Sequence, residues 1–127
     1  MRIKNIIVLS FCLLAILLFG CKKEAGPGGK NSISGTITFK NGASGNNDAA
    51  SKAWVSIAYG TNESTTDFDQ TILTDDAGNY KISGLNKGKY FIKAGYTDSH
   101  GFVYNNAGVG LTFQNKKKNL TVDINLE

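Results

Sequence analysis

Proline, histidine and cysteine are scarce in these 127 residues, with one Pro (Pro27), one His (His100) and two Cys (Cys12 and Cys21). Two cysteines, one of them inside an apolar N-terminal run, leave no disulfide framework and no cysteine-based metal site. A single histidine limits catalysis, because a triad needs a base held by a third group and facing a nucleophile. Arginine is absent after Arg2, so aromatic side chains must supply any anchor at a binding surface. Phosphate loops of the GxxxxGK type and calcium loops of the D-x-D-x-D-G type are missing as well. The charge of +4 comes from the N-terminal side, since Ser32 to Glu127 holds 9 Lys against 9 acidic residues. A neutral patterned region argues against nucleic acid as a partner. With 41% hydrophobic and 19% charged residues and glycines lacking a G-X-Y period, the chain is neither disordered nor collagen-like, and its length suits one domain.

The N-terminus carries an address. Arg2 and Lys4 precede Ile6 to Phe19, fourteen residues of which only Ser10 is not apolar. At ~1.5 Å per residue the run covers about 21 Å, short of the roughly 30 Å that a spanning helix must cross. It reads as a signal-peptide core. Leu18-Phe19-Gly20-Cys21 follows, and residues 1–21 resemble a bacterial lipoprotein signal with its lipobox. The resemblance implies cleavage before Cys21 and acylation of its thiol and amine. It also implies a cell-envelope location, with Lys22 after the cysteine pointing to the outer membrane. Two or three acyl chains hold a protein stably where one binds marginally, so membrane contact runs through Cys21. The remaining reading of the segment is a plain secretory signal or a simple membrane anchor.

Three regions are therefore expected: a signal peptide over 1–20, a lipidated flexible tether over 21–31, and a domain over 32–127. The tether, with three glycines and the proline between Lys22 and Asn31, lacks apolar periodicity. Beyond it the apolar period is two, which predicts strands. Inward sets are Ile33, Ile37 and Phe39; Val55, Ile57 and Tyr59; Tyr80 and Ile82; Tyr90, Ile92, Ala94 and Tyr96; Val109, Leu111 and Phe113; and Leu120 through Leu126. Gln70 and Ile72 alternate less cleanly, as in an edge strand. Asp75 to Asn79 and Gly84 to Gly88 are turns. Seven short strands without a helical period predict an all-β sandwich.

Ile33-Ser34-Gly35-Thr36-Ile37, Ala53-Trp54-Val55-Ser56-Ile57, Thr74-Asp75 with Gly78 and Tyr80-Lys81-Ile82, and Gly84-Leu85 with Gly88, Tyr90 and Ile92 resemble the carboxypeptidase regulatory-like domain. That family is similar to transthyretin and to Cna B-type repeats, which implies a seven-stranded Greek-key sandwich that folds, docks or presents loops without peptidase chemistry. The internal isopeptide bond of many Cna B-type domains is not expected. Asn125 alternates outward, and no strand places an acid inward.

Candidate sites follow from alternation. His100 sits in Asp98-Ser99-His100-Gly101, where consecutive residues diverge, so no catalytic residue, cofactor or metal is expected. Pairing the strands of Trp54 and Phe91 as the resemblance implies sets Trp54 across from Gly95 and Phe91 across from Ala58, with Ser56 and Lys93 between. Trp54 and Phe91 then either form an outward platform for a sugar or a protein, or Trp54 covers the bare Gly95 backbone beneath a loop. Phe102 and Tyr104, in the long Thr97 to Gly108 loop, are a second candidate surface. Lys116-Lys117-Lys118 is read as a solvated hairpin turn, with contact to acidic lipid or glycan as the alternative. The expected role is a non-catalytic binding or assembly module for an envelope protein or polysaccharide. An accessory subunit of an envelope enzyme or transporter, and a structural spacer, are the alternatives.

Overall fold

Alternating apolar residues, each side chain pointing opposite to the last, build two sheets that share one core. The computed structural model describes residues 25–114 and 117–127. The strands are β1 (Pro27–Lys40), β2 (Asn47–Ala49), β3 (Trp54–Tyr59), β4 (Gln70–Leu73), β5 (Asn79–Leu85), β6 (Gly88–Thr97), β7 (Val103–Asn105), β8 (Val109–Phe113), β9 (Asn119–Thr121) and β10 (Ile124–Leu126). The fold is the expected all-β sandwich with ten strands in place of seven. The surplus has a local cause: β7 and β8 share one edge of β6, β9 and β10 share one edge of β1, and β2 is a three-residue strand inside the expected loop Asn41 to Ser51.

In the first sheet β1 is central. β5 and β2 pair with it antiparallel, Ile33 facing Ile82 and Thr38 facing Ala49, while β9 and β10 pair with it parallel, Ile33 facing Leu120 and Ile37 facing Ile124. Between β9 and β10 the register on β1 is kept but the ladder is interrupted. There the Val122 amide donates to the Ser34 carbonyl (2.7 Å), Thr36 N–H donates to Asp123 Oδ1 (2.8 Å), and the Tyr80 hydroxyl donates to the Val122 carbonyl (2.6 Å). A Cβ on Gly35 would strike that carbonyl, so this close approach requires glycine at position 35.

The second sheet runs β4-β3-β6, with β7 and β8 on the far edge of β6. Ile33, Ile37, Ile82, Leu85 and Leu126 of the first sheet meet Val55, Ile57, Tyr90, Ile92 and Phe113 of the second, all buried. Thr74 is the buried polar link. Its hydroxyl donates to the Ala50 carbonyl and accepts from the Ala53 amide (2.9 Å), so burying it leaves no orphaned group.

The segment expected to be a flexible tether through Asn31 joins the sandwich from Ala25. Gly26 N–H donates to the Tyr90 hydroxyl (2.8 Å), that hydroxyl donates to the Asn86 carbonyl (2.7 Å), and Asn86 Nδ2 donates to the Pro27 carbonyl (2.9 Å). Pro27 and Asn31 both pair with Leu85 across a bulge, and Asn31 is buried. Long-range hydrogen bonds and the core contact of Ala25 offset the ordering cost that composition alone would leave unmet. The expected signal peptide, Cys21, Lys22 and Lys23 lie outside the described residues.

Candidate functional site

The β3–β6 register places the first candidate surface. Trp54 faces Gly95, Ser56 faces Lys93 and Ala58 faces Phe91, the pairing that the family resemblance implies. The two aromatics differ in environment. Trp54 is half-buried, its ring lying against Gly95 where any Cβ would collide with it. Phe91 is buried, only 4% exposed, which corrects its placement on an open platform. Gly108, at φ +102°, lies on the Phe91 ring, and Phe68 stacks beside it with centroids 6.4 Å apart and planes at 21°. What remains open on this face is Leu73, 62% exposed and paired with Trp54.

Phe102 and Tyr104 lead to a different place. The expected loop Thr97 to Gly108 contains β7, whose Tyr104 faces Tyr96 of β6. Tyr104 is half-buried against Phe39, with ring centroids 5.0 Å apart, and its hydroxyl donates to Asp98 Oδ2 (3.3 Å). Asp98 Oδ1 accepts the amides of His100 and Phe102, both at 2.9 Å. With Gly101 at φ +87°, these bonds fold residues 98–102 into a tight turn that holds Phe102 outward, 66% exposed. Partial desolvation pushes the Asp98 carboxyl up, but the donors from Phe102, His100 and Tyr104 and the nearby imidazole together hold it below the usual aspartate value.

Phe102, Val103, Tyr104, Asp98 and His100 form one wall of an open groove of about 470 Å³. The opposite wall is the β1–β2 turn at Asn41, Gly42 and Ala43, together with Glu127. Asn41 shapes that turn: Nδ2 donates to Asp48 Oδ2 (3.0 Å) and Oδ1 accepts the Ala43 amide (2.9 Å). Asn105 and Glu127 exchange two backbone hydrogen bonds of 3.2 Å, tying the two sheets together at the groove floor. Sequence reasoning reached Phe102 and Tyr104 but missed Asn41, Val103 and Glu127. Asn41-Gly42 signals a turn, and nothing local tells which loop it faces.

The groove joins aromatic and aliphatic faces to carboxylate and amide groups, and among the described residues no lysine or arginine lines it. It therefore suits a neutral, hydroxyl-bearing ligand with an apolar face rather than an anion. His100 is exposed, and Asp98 binds its backbone amide. Among the described residues no group of three or more His, Cys, Asp or Glu is placed to hold a metal ion. The Asp75 to Asn79 segment is a turn, Asp75 Oδ1 accepting the amides of Ala77 (3.0 Å) and Asn79 (2.9 Å). Asn125 faces outward as expected.

No family model matches the chain, and no curated protein matches its sequence. Solved structures do match. A candidate carbohydrate-binding protein of Pseudomonas aeruginosa aligns over 84% of this chain and 93% of its own, at 14% identity and a TM-score of 0.54. The minor pilin of Streptococcus agalactiae aligns over 77% of this chain at 21% identity and a TM-score of 0.54. The major pilin subunit of Bacillus cereus aligns over 78% at 17% identity and a TM-score of 0.55. The chain spans 44% and 30% of those two pilins. At these identities the likeness is one of architecture: the chain shares the β-sandwich fold of these binding and pilin proteins.

Proposed function

We propose that the chain is a lipid-anchored cell-envelope protein, held through Cys21, whose sandwich is a non-catalytic module that binds a neutral glycan in the groove at Phe102. The carrying observation is the pairing of an outward-held aromatic ring with a roughly 470 Å³ groove that has acceptors and no cation. Sugars present C–H faces that stack on aromatic rings and hydroxyls that bond to carboxylates and amides. The carbohydrate-binding name of one structural neighbour and the surface role of pilins support an envelope binding role. Titration calorimetry against neutral envelope oligosaccharides tests the reading, which expects saturable binding that Phe102→Ala abolishes. No binding across neutral glycans would reject it.

A second reading is favoured by Leu73. An exposed leucine beside half-buried Trp54 on the outer face of the second sheet is the kind of apolar patch that marks docking to a protein partner. Leu73→Lys would then break a complex recovered from the envelope and leave glycan binding intact.

A further inference from the structure

The ordering of Ala25 to Asn31 shortens the leash between anchor and fold. From Cys21 to Ala25 there are four residue steps, spanning at most about 14 Å when fully extended. A sandwich attached there lies against the bilayer surface. The pole that must face that surface is defined by the contacts of Gly26 with Tyr90 and Asn86 and of Ala25 with Gly88.

Lysines gather at this pole. Lys87 and Lys89 flank Gly88, Lys30 precedes Asn31, and Lys118 meets Asn31 through its amide on Oδ1 (2.8 Å), with Lys117 beside it. All five are exposed. Among the described residues the ion pair within 4.0 Å is Lys52–Asp76, elsewhere in the fold. Asp69 lies at the other edge of the same pole, beside Tyr59, whose amide donates to it (2.7 Å). The basic groups thus lie on β1, just before β9 and across the β5–β6 turn, and so span the ends of both sheets. The groove sits at the far end of β6, ten residues away, or about 30 Å at ~3.3 Å per residue.

We infer that Lys30, Lys87, Lys89, Lys117 and Lys118 form a footing for anionic phospholipid headgroups, which sets the sandwich upright with the groove facing away from the membrane. This rests on the lipid-anchored reading. Juxtamembrane lysines are attracted to anionic leaflets within a Debye length of about 8–10 Å, a distance the short leash enforces.

The test uses two arms. In the first, full-length acylated protein is placed in vesicles of phosphatidylcholine with about one-third phosphatidylglycerol, carrying a fluorophore at Lys87→Cys or at Ser99→Cys. A headgroup-attached quencher should dim the label at 87 strongly and leave the label at 99 bright; equal quenching, or the reverse, overturns the orientation. In the second, unacylated Cys21→Ser protein is sedimented with the same vesicles. It should bind them, fail to bind pure phosphatidylcholine, and lose roughly ten-fold or more of its affinity on Lys30→Gln/Lys87→Gln/Lys118→Gln substitution or in high salt. Equal binding by the triple variant overturns the footing. This arm reads the lysines whether or not Cys21 is acylated. Membrane partitioning of Cys21→Ser in cells, unchanged from wild type, would strike the anchor reading alone.

Discussion

The indole of Trp54 fills the space that a side chain at position 95 would need. The two residues are cross-strand partners on β3 and β6, and the absence of a Cβ at Gly95 lets the ring lie against the backbone. Gly95→Val should therefore lift the ring into water, at a cost of about 1–3 kcal/mol from overpacking. Because the chain has one Trp, fluorescence reports the change directly: emission should shift to the red and become more quenchable by acrylamide. An unchanged spectrum would contradict the contact.

Ile57 and Ile92 face one another at the centre of the second sheet, both 0% exposed. Truncating either to Ala should cost roughly 2–5 kcal/mol, the transfer term plus the residual cavity. Thr36, half-buried with its hydroxyl on Asn79 Oδ1 (2.7 Å), should cost about 0.5–1.5 kcal/mol as Ala. Denaturant unfolding separates these outcomes, and equal losses at all three positions would mean that the strand faces are misassigned.

Phe91 is a packing residue beneath Gly108 and beside Phe68. Phe91→Ala should destabilise the fold by about 3–5 kcal/mol, the range typical of core aromatics, and lower the melting temperature accordingly. Gly108→Ala should also destabilise, because its positive φ is unfavourable to Ala and its Cβ meets the Phe91 ring. A neutral Gly108→Ala would show that residues 106–108 do not cover Phe91.

What is legible in the sequence is what the period of two controls. Alternation sets which residues of β3 and β6 share a face, while the pairing of Trp54 with Gly95 and of Ala58 with Phe91 comes from the family resemblance, since a slip of two residues would keep the same faces. Exposure on the outer face is not legible in the same way. It depends on residues 61–69 and 106–108 folding back across the sheet, through contacts such as Asn62 against Gly110 and the Ala94 amide on Asn106 Oδ1 (2.7 Å). The early start of the domain is hidden for a similar reason. Ala25-Gly26-Pro27 has no periodicity, and it is ordered by Tyr90 and Asn86, more than fifty residues away. Strand count is raised where one edge is interrupted: between β7 and β8 three residues face two of β6, a bulge, and between β9 and β10 the Asp123 side chain takes the Thr36 amide.

Two ionisable groups give opposite pH signatures. Burial, and secondarily the nearby Asp123 charge, pushes the Tyr80 hydroxyl well above the usual tyrosine value, while it donates to the Val122 carbonyl. The folded state holds this proton more tightly than the unfolded chain, so the contribution is complete below about pH 10 and declines above it. Tyr80→Phe should flatten the fall in stability at alkaline pH, measured by chemical denaturation across pH. A fall as steep as wild type would contradict the role of this hydroxyl. Asp98 has a depressed folded value, so its contribution to the 98–102 turn is present above about pH 4 and lost as pH drops through the folded value. Its carboxyl NMR titration should have a midpoint below that of an ordinary aspartate, and a midpoint at or above it would contradict the turn geometry.

The groove at Phe102 is tested most directly by comparing the affinity of wild type and Phe102→Ala for the neutral oligosaccharide that binds best, with melting curves for both. Phe102 is 66% exposed, so its truncation should leave the melting temperature nearly unchanged while weakening binding by about ten-fold or more, as expected when an aromatic anchor is lost. Undiminished affinity in a fully folded Phe102→Ala protein would contradict the assignment of this groove as the binding site.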